Sequence, residues 1–329
     1  MRAALHAAEK GIGHTSPNPA VGAVIVSKGK VIASGWHRQA GLPHAEIEAL
    51  KKAGSAKGAT LYVTLEPCST HGRTPPCVDA IIAAGIKRVV IGAIDPNPSH
   101  AGRAVAILEK AGITVKTGIL GEECHALNHA FNKWIVSRMP WVIAKAGMSL
   151  DGRISRQPGE AQWITSPASR AHAQKLRAKV DAILIGAETL RVDNPHLTVR
   201  GIRGAKQPWR VVLTRSGKLP PEAHLFTDIH KDRTLVYKNK SLRAVLRDLG
   251  KKQITSVLIE GGENVLGQAL DQRLVDEVQF YIAPLLLGGP KVSVGGLGAA
   301  SSEAGARIKN PRYQKIGGDM LVSGEVEYL

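Results

Sequence analysis

Aromatic residues make up only 4% of the 329-residue chain, and cysteines number three. So few rings leave no platform on which successive bases of a single strand would stack. Three thiols build no disulfide framework of the kind that holds small secreted domains together, and an odd count suits a reducing compartment. No apolar run approaches the roughly 20 residues that cross a bilayer. The opening stretch, MRAALHAAEKG, lacks the long apolar core of an export signal. A cytoplasmic location and no membrane partner are therefore expected. The chain also has no internal repeat, no low-complexity tract and no Gly-x-Gly-x-x-Gly fingerprint, so a nicotinamide cofactor cannot be argued from that motif.

What it has in excess is positive charge, 44 Lys and Arg against 27 Asp and Glu, a formal +17. That balance raises nucleic acid as a partner. Yet the cations are scattered through both halves without a dense run. The charge is read as solubility and as attraction for phosphorylated small molecules, with no specific nucleic acid. At this length, with 43% hydrophobic content, the chain exceeds one ordinary core and predicts two domains.

The most informative stretch runs from Gly41 to Cys77. His44 and Glu46 follow Pro43 at the start of a predicted helix reaching Ala53. Thr60 to Leu65 (TLYVTL) is apolar and β-branched and reads as a buried strand that delivers Glu66-Pro67-Cys68. Pro75 and Pro76 introduce a second helix opening at Cys77, whose unpaired N–H groups and dipole would favour a thiolate there. One nitrogen and two sulfurs, His44, Cys68 and Cys77, leave a fourth tetrahedral position open, the catalytic arrangement for Zn²⁺. Glu46 is then the general acid and base of a zinc deaminase, outside the ligand set. The rival reading is a structural zinc that takes His71, between the cysteines, as a fourth ligand.

Around this stretch the pattern predicts a first helix, Ala3 to Lys10, and a hairpin of Val21 to Val26 with Val31 to Trp36 about Ser27-Lys28-Gly29-Lys30. A strand from Arg88 to Ile94, a helix from Gly102 to Ala111, an extended Ile113 to Lys116 and one long helix from Gly121 to Ser137 follow. A boundary falls at Arg138-Met139-Pro140, giving domains 1–138 and 139–329. The second half alternates strands (Trp141 to Met148, Ala182 to Gly186, Arg210 to Thr214, Thr234 to Tyr237, Ser256 to Glu260, Glu277 to Ala283) with helices such as Ser166 to Ala178, an α/β pattern. The run Val257 to Ile259 breaks at Gly261-Gly262 into a helix predicted to reach Leu270. Glycines there let backbone N–H groups approach a phosphate, although strand-Gly-Gly-helix is also common loop punctuation.

Eight residues separate Cys68 from Cys77, where nucleic-acid deaminases of this type carry two. Together with TSPNPAVGAVIV, GLPHAE, TLEPCSTHGRTPPC and DPNP in the first half, and KAGMSLDGR, QWIT, LRAKVDAILIGAETL, DNPHLTVR, IEGG and IAPLLLGG in the second, this spacing resembles the bifunctional deaminase–reductase family of riboflavin biosynthesis over nearly the whole chain. The resemblance implies a cytidine-deaminase-like α/β/α domain followed by a dihydrofolate-reductase-like α/β domain with a closing strand near Leu321 to Glu327. It implies Zn²⁺ and NADPH as cofactors, phosphoribosylated pyrimidines as substrates and an assembly of identical chains.

Carried over residue by residue, the resemblance places Asn18, His37, Arg73 and Thr74 on the pyrimidine substrate of the first domain. In the second it places Lys145, Asp151, Ala161, Arg177, Leu197, Arg200 and Glu260 on substrate. On cofactor it places Gly147, Trp163, Thr189, Asp193, Arg215 and the run Gly262, Glu263, Asn264, Val265, Leu266, Gly267, Gln268. Asn18 between two prolines also suits a simple turn, Trp163 also suits the core, and Arg177 and Arg200 suit either phosphate clamps or surface charge. The chain departs from the family at Thr70, where histidine is usual, at Thr214, where aspartate is usual, and at Arg215, often serine. The competing function is a nucleic-acid-editing zinc deaminase with a C-terminal binding module, which the cysteine spacing and the second half oppose.

Overall fold

The computed structural model describes residues 1–70, 75–98, 100–154 and 163–329. The chain divides into two compact units, Met1–Arg138 and Met139–Leu329.

The first unit opens with helix α1 (Arg2–Glu9), then strands β1 (Gly22–Ser27) and β2 (Lys30–Trp36). Lys28 and Gly29 both take positive φ, 48° and 75°, the two-residue turn whose twist matches a hairpin. Helix α2 (Ala45–Ala53), β3 (Thr60–Leu65), α3 (Cys77–Ala83), β4 (Arg88–Ala93), α4 (Arg103–Lys110), β5 (Thr114–Lys116), α5 (Gly121–Ala126) and α6 (His129–Ser137) complete it. The sheet order is β2-β1-β3-β4-β5, antiparallel on either side of β1 and parallel from β3 to β5.

Glycine decides how closely the first two helices approach. A Cβ on Gly22 would lie 2.0 Å from the Ala4 carbonyl of α1, and one on Gly35 would lie 2.4 Å from the Ala45 carbonyl of α2. Gly22 pairs with Trp36 and Ala23 with Gly35, so the two glycines point to opposite faces of the pleat. The sheet is therefore covered on both sides. Helices α2, α3 and α4 share one core with Ala23, Ile25, Leu61, Val63, Val89 and Ile91.

The long helix predicted from Gly121 to Ser137 is two helices. Asn128 interrupts it by pairing its side-chain amide with the backbone of Ala20, accepting from Ala20 N at 2.8 Å and donating to Ala20 O at 3.0 Å. Side-chain amides compete with helical hydrogen bonds in this way, and periodicity does not register it.

In the second unit, β6 (Trp141–Ser149), α7 (Pro167–Arg177), β7 (Ala182–Gly186), α8 (Ala187–Asp193), β8 (Trp209–Thr214), α9 (His224–Thr227), β9 (Thr234–Lys238), α10 (Leu242–Lys251), β10 (Ser256–Ile259), α11 (Glu263–Asp271), β11 (Glu277–Ala283), β12 (Arg307–Ile316) and β13 (Asp319–Glu327) form an eight-stranded sheet. Its order is β12-β13-β11-β6-β10-β7-β8-β9. Pairing is parallel from β11 through β9 and antiparallel across β13. Alternation is strict. Val257 and Ile259 meet α10 and α11 on one face, whereas Leu258 meets Leu190 of α8 and Leu225 of α9 on the other. Both faces being buried, these strands read as continuous apolar runs.

Strand β12 was not foreseen, because nearly all of it is exposed and an exposed edge strand carries no apolar alternation. Its Lys, Arg and Pro residues and the irregularity between Lys309 and Arg312 are the features that keep an open edge from pairing further. No helix among the described residues is long and apolar enough to cross a membrane.

Candidate active sites

In the first unit His44 stands at the N-cap of α2 in extended conformation, Cys68 lies just beyond β3, and Cys77 is the first residue of α3. These elements converge. His44 Nδ1 lies 3.5 Å from Cys68 Sγ and 3.3 Å from Cys77 Sγ, and the three donor atoms all fall within 4.8 Å of one another. Zinc bonds of about 2.3 Å to sulfur and about 2.0 Å to nitrogen at the tetrahedral angle put the two kinds of donor about 3.5 Å apart. The donor set fits zinc in type and in spacing. Among the described residues no fourth His, Cys, Asp or Glu joins the cluster. His71, the rival fourth ligand, lies outside the described residues, as do Arg73 and Thr74.

The start of α3 acts differently from the expectation. The Cys77 N–H donates to Cys68 Sγ at 3.2 Å, so the helix terminus favours the thiolate of its neighbour. Hydrogen bonds from the Cys77 thiol, from His44 and from this N–H bring Cys68 down to about 4 despite burial. Cys77 is pushed up by that shared proton, by burial and by the charges of Glu46 and Cys68. His44 is raised, chiefly by its hydrogen bond with Cys68.

Glu46 sits in the first turn of α2, 3% exposed, with its pKa raised by burial against the opposing pull of His44. His37 links Pro43, the residue before His44, to the loop before β1. One ring nitrogen meets the Pro43 carbonyl at 3.1 Å and the other meets the Asn18 amide nitrogen at 3.1 Å. Burial lowers the His37 pKa, which fits a neutral ring that donates through Nδ1 and accepts through Nε2. The Asn18 amide nitrogen is thereby engaged, and its amide oxygen is the group left for a ligand.

Sequence reasoning passed over Glu66. It is buried, and its carboxylate accepts from the N–H groups of Asp95, Gly102 and Ala104 at 3.2, 2.9 and 2.9 Å. This ties the segment after β4 to the strand end that carries Cys68. Its place in the TLEPC run was the one available signal.

In the second unit a cavity of about 1520 Å³ opens along the C-terminal ends of β6, β10, β7, β8 and β9, where parallel sheets bind their ligands. Lys145, Arg177, Leu197, Arg200 and Glu260 line it, as do Gly147, Trp163, Thr189, Asp193, Arg215, Gly262, Glu263, Asn264, Val265, Leu266 and Gln268. Three expectations change. Asp151 is not among the lining residues; its carboxylate accepts from Leu287 N at 3.1 Å and Gly288 N at 2.7 Å, with Ser149 as a further partner. These bonds hold its pKa down to about 2, and they make Asp151 a loop anchor. Gly267 faces a loop, since a Cβ there would come 2.3 Å from the Gly295 backbone. Ala161 lies outside the described residues. Trp163 is 74% exposed with the Arg170 guanidinium 4.8 Å over its ring, which excludes the core alternative.

Arg177 is no free clamp. Its Nε and Nη2 donate to the two Glu260 oxygens at 2.6 and 2.8 Å, and Nη1 donates to the Thr198 carbonyl at 3.1 Å. Lys145 Nζ stands 3.9 Å from Glu260 and 5.9 Å over the Tyr281 ring. Burial alone would raise Glu260, but Arg177 and Lys145 outweigh it and bring the carboxyl to about 2. Burial lowers Lys145, with Glu260 opposing. Tyr281 was missed because an apolar strand hides one polar ring. Its hydroxyl meets His172 Nδ1 at 2.8 Å.

The glycine turn before α11 fits a dinucleotide. Gly261 has φ of 120°, a region that favours glycine, and a Cβ on Gly262 would come 3.3 Å from Thr189 Oγ1. Side chains at these two positions would project toward Thr189, which lines the same cavity.

Residues 1–93 match the cytidine and deoxycytidylate deaminase zinc-binding region, and residues 140–322 match the RibD C-terminal domain. The chain is 39% identical to the riboflavin biosynthesis protein RibD of Aquifex aeolicus, covering 98% of this chain and 96% of the relative. It is 43% identical to the Escherichia coli protein of that name over 88% of each. Among solved structures, RibD of Acinetobacter baumannii is similar at TM-score 0.90 and 36% identity. A diaminohydroxyphosphoribosylaminopyrimidine deaminase/5-amino-6-(5-phosphoribosylamino)uracil reductase from Thermotoga maritima gives the same values, and each alignment covers 99% of this chain and 97% of the other.

Proposed function

From the premise that the chain belongs to the RibD family of riboflavin-biosynthesis proteins, we propose how its own residues carry that family's two reactions. The protein is a bifunctional enzyme with an α/β zinc-deaminase domain and an α/β reductase domain. It deaminates 2,5-diamino-6-(5-phosphoribosylamino)pyrimidin-4(3H)-one and then, with NADPH, reduces the ribosyl group of 5-amino-6-(5-phosphoribosylamino)uracil to ribityl.

In the first reaction an amino group leaves the pyrimidine as ammonia and water supplies the oxygen that replaces it. His44, Cys68 and Cys77 would hold the zinc, which when bound brings a water pKa near neutrality. Glu46, buried in the first turn of α2, would be the group that accepts a proton at its carboxylate and hands one to the departing amine. Its raised pKa suits a group that must both accept and release. Asn18 holds the pyrimidine through the amide oxygen that His37 leaves available.

The second reaction adds a hydride to the sugar carbon and a proton to the ring oxygen it releases. NADPH supplies the hydride. Lys145 is the half-buried cation placed to hold the proton, with Glu260 and Arg177 fixing where its ammonium stands. Arg200 remains for the substrate phosphate: its backbone N–H is held by Gln174 at 2.9 Å, and its exposed side chain lines the cavity.

The observation that carries the reading is the His44, Cys68 and Cys77 cluster beside buried Glu46 in one unit, with the basic cavity in the other. The test is metal content together with ammonia release and NADPH oxidation measured separately. About one zinc per chain, ammonia released without NADPH, and NADPH oxidised on the deaminated pyrimidine are expected. NADPH oxidation with no ammonia release from a zinc-loaded protein would sink the deaminase assignment.

Residues 1–138 and 139–329 are proposed as separately active domains. Residues 1–138 alone should therefore bind zinc and deaminate; a folded, zinc-loaded but inert fragment would count against it. A cytoplasmic setting accords with three free thiols. An assembly of identical chains accords with exposed Leu286 and Tyr313 in the second unit, and sedimentation tests it.

A further inference from the structure

We infer that Tyr281, anchored by His172, is a positioning residue of the reductase reaction that keeps the Lys145 ammonium aimed, an inference that rests on the role given to Lys145 above. On β6 the residues Val142, Ala144 and Ala146 enter one core with Val278 of β11. Strand residues alternate between faces, so Lys145, Gly147 and Tyr281 share the other one. The parallel register sets Gln279 across from Lys145 and Tyr281 across from Gly147. Tyr281 is buried and stands among the residues that line the cavity. Its ring centroid lies 5.9 Å from Lys145 Nζ, within reach of a cation–π attraction.

Glu260 does not aim the ammonium alone. Its two oxygens already accept from Arg177 at 2.6 and 2.8 Å, and Lys145 Nζ stands 3.9 Å from Oε2, too far for a direct hydrogen bond. At that range the carboxylate supplies charge without direction, and the four-carbon stem of a lysine is flexible. An aromatic face supplies the direction, because its attraction is confined to the space over the ring. The ring must itself be fixed to do so. Tyr281 is held at its tip, where the hydroxyl meets His172 Nδ1 at 2.8 Å. The two rings meet at 62° with centroids 5.8 Å apart, and Ile316, Leu321 and Ala173 pack around Tyr281.

The anchor is neutral where the lysine is charged. Burial lowers the pKa of His172, half-buried on α7, and Lys175 and Lys179 of the same helix lower it further. Burial and the Glu260 charge raise the Tyr281 pKa, so the phenol keeps its proton. The bond between them therefore persists while Lys145 gains and loses its own proton. Burial lowers the Lys145 pKa, with Glu260 opposing and Arg177 adding to the fall. The ring face sides with Glu260, since it attracts the charged form alone.

The test is NADPH oxidation by the full-length protein on the deaminated pyrimidine, read as kcat and KM across pH, with NADP⁺ calorimetry showing that each variant keeps a folded second unit. Tyr281→Leu should lower kcat about tenfold and leave KM for the pyrimidine within about twofold. Its rate should also begin to fall at a lower pH on the alkaline side, because an ammonium without the ring loses its proton sooner. Tyr281→Phe and His172→Leu each remove only the anchor and should lower kcat about threefold. The double variant should lose no more than either, since the two share one bond. His172→Asn, which carries an amide near the place of Nδ1, should recover most of what His172→Leu loses. An unchanged kcat in Tyr281→Leu, an alkaline limb that stays in place, or losses that multiply in the double variant overturn the proposal. If Lys145→Met reduces at the wild-type rate, the role of Lys145 itself fails, and the proposal with it.

Discussion

Compare two buried glutamates from the two units: Glu46 is 3% exposed, and the Glu260 side chain is 6% exposed. Burial drives both toward the neutral form, yet they end on opposite sides of the ordinary carboxylate range. Among the described residues Glu46 has no guanidinium or ammonium partner; the nearby His44 does not offset its burial, and its pKa rises. Glu260 has Arg177 at 2.6 Å and Lys145 at 3.9 Å, and it falls to about 2. Under the proposed mechanism, the carboxyl that would carry a proton has no cationic partner among the described residues, and the one that would stay charged to hold a lysine has two. On the proposed mechanism the same side chain in similar burial would serve proton transfer in one unit and positioning in the other.

The comparison breaks most completely at the metal. Cys77→Ser removes a ligand from the three-atom cluster, so zinc content and ammonia release should fall to background. NADP⁺ titration of the same protein should remain as in wild type, since the cavity in the second unit holds none of the ligands. Full zinc occupancy in this variant would remove Cys77 from the ligand set.

Glu46→Gln sharpens the contrast by keeping shape and burial while removing the proton carrier. Ammonia release should fall about 10²–10⁴-fold, with about one zinc per chain retained by elemental analysis. A variant that deaminates at the wild-type rate shows that another group moves the proton.

Arg177→Met turns Glu260 toward the condition of Glu46. Losing one partner of a buried pair should destabilise the second unit by about 3–5 kcal/mol in denaturant unfolding. The pH dependence follows from the depressed pKa. Between the ordinary value of 4.5 and about 2 the unfolded chain binds the proton that folded Glu260 refuses. The stability it contributes is therefore complete above about pH 4.5 and is lost as the pH falls toward 2. The variant should show a flatter acid profile over that window. Profiles of equal slope would place the acid sensitivity elsewhere.

The smallest effect is expected at Arg200, an exposed cation whose side chain makes no internal hydrogen bond among the described residues. Arg200→Ala should raise the KM for the phosphoribosylated pyrimidine about tenfold and leave NADP⁺ affinity alone. A change of equal size in both titrations would mean that Arg200 shapes the cavity as a whole.

The first site was legible because its parts are local. His44, Cys68 and Cys77 each directly follow a proline, and Glu46 comes two residues after His44, so spacing along the chain announces convergence before any packing is known. The second site was legible only through family likeness, and where its geometry depends on distant contacts that likeness slipped. Asp151 was assigned to substrate, yet the Leu287 and Gly288 N–H groups, more than 130 residues away, capture it. Gly267 was assigned to cofactor within a continuous run, but a helix turns each residue by about 100°, and that position faces Gly295. Tyr281 and Glu66 went unread because each is one polar residue in an apolar stretch, where burial hides the partner that gives it a purpose.

By itself the amino-acid order determined the strands, most helices, the division into two α/β units and the identity of the metal donors, since all of these follow from short-range periodicity, turn chemistry and ligand type. Tertiary structure decided which charges are free. Arg177, Arg191, Arg215 and Arg200 look alike along the chain; folding pairs Arg177 with Glu260 and Arg191 with Glu188, and leaves Arg215 and Arg200 at the cavity rim. It also set the two glutamates apart, raising Glu46 and lowering Glu260. The physical reason is that electrostatic free energy depends on distance and on exclusion of water, and neither exists until remote segments have packed.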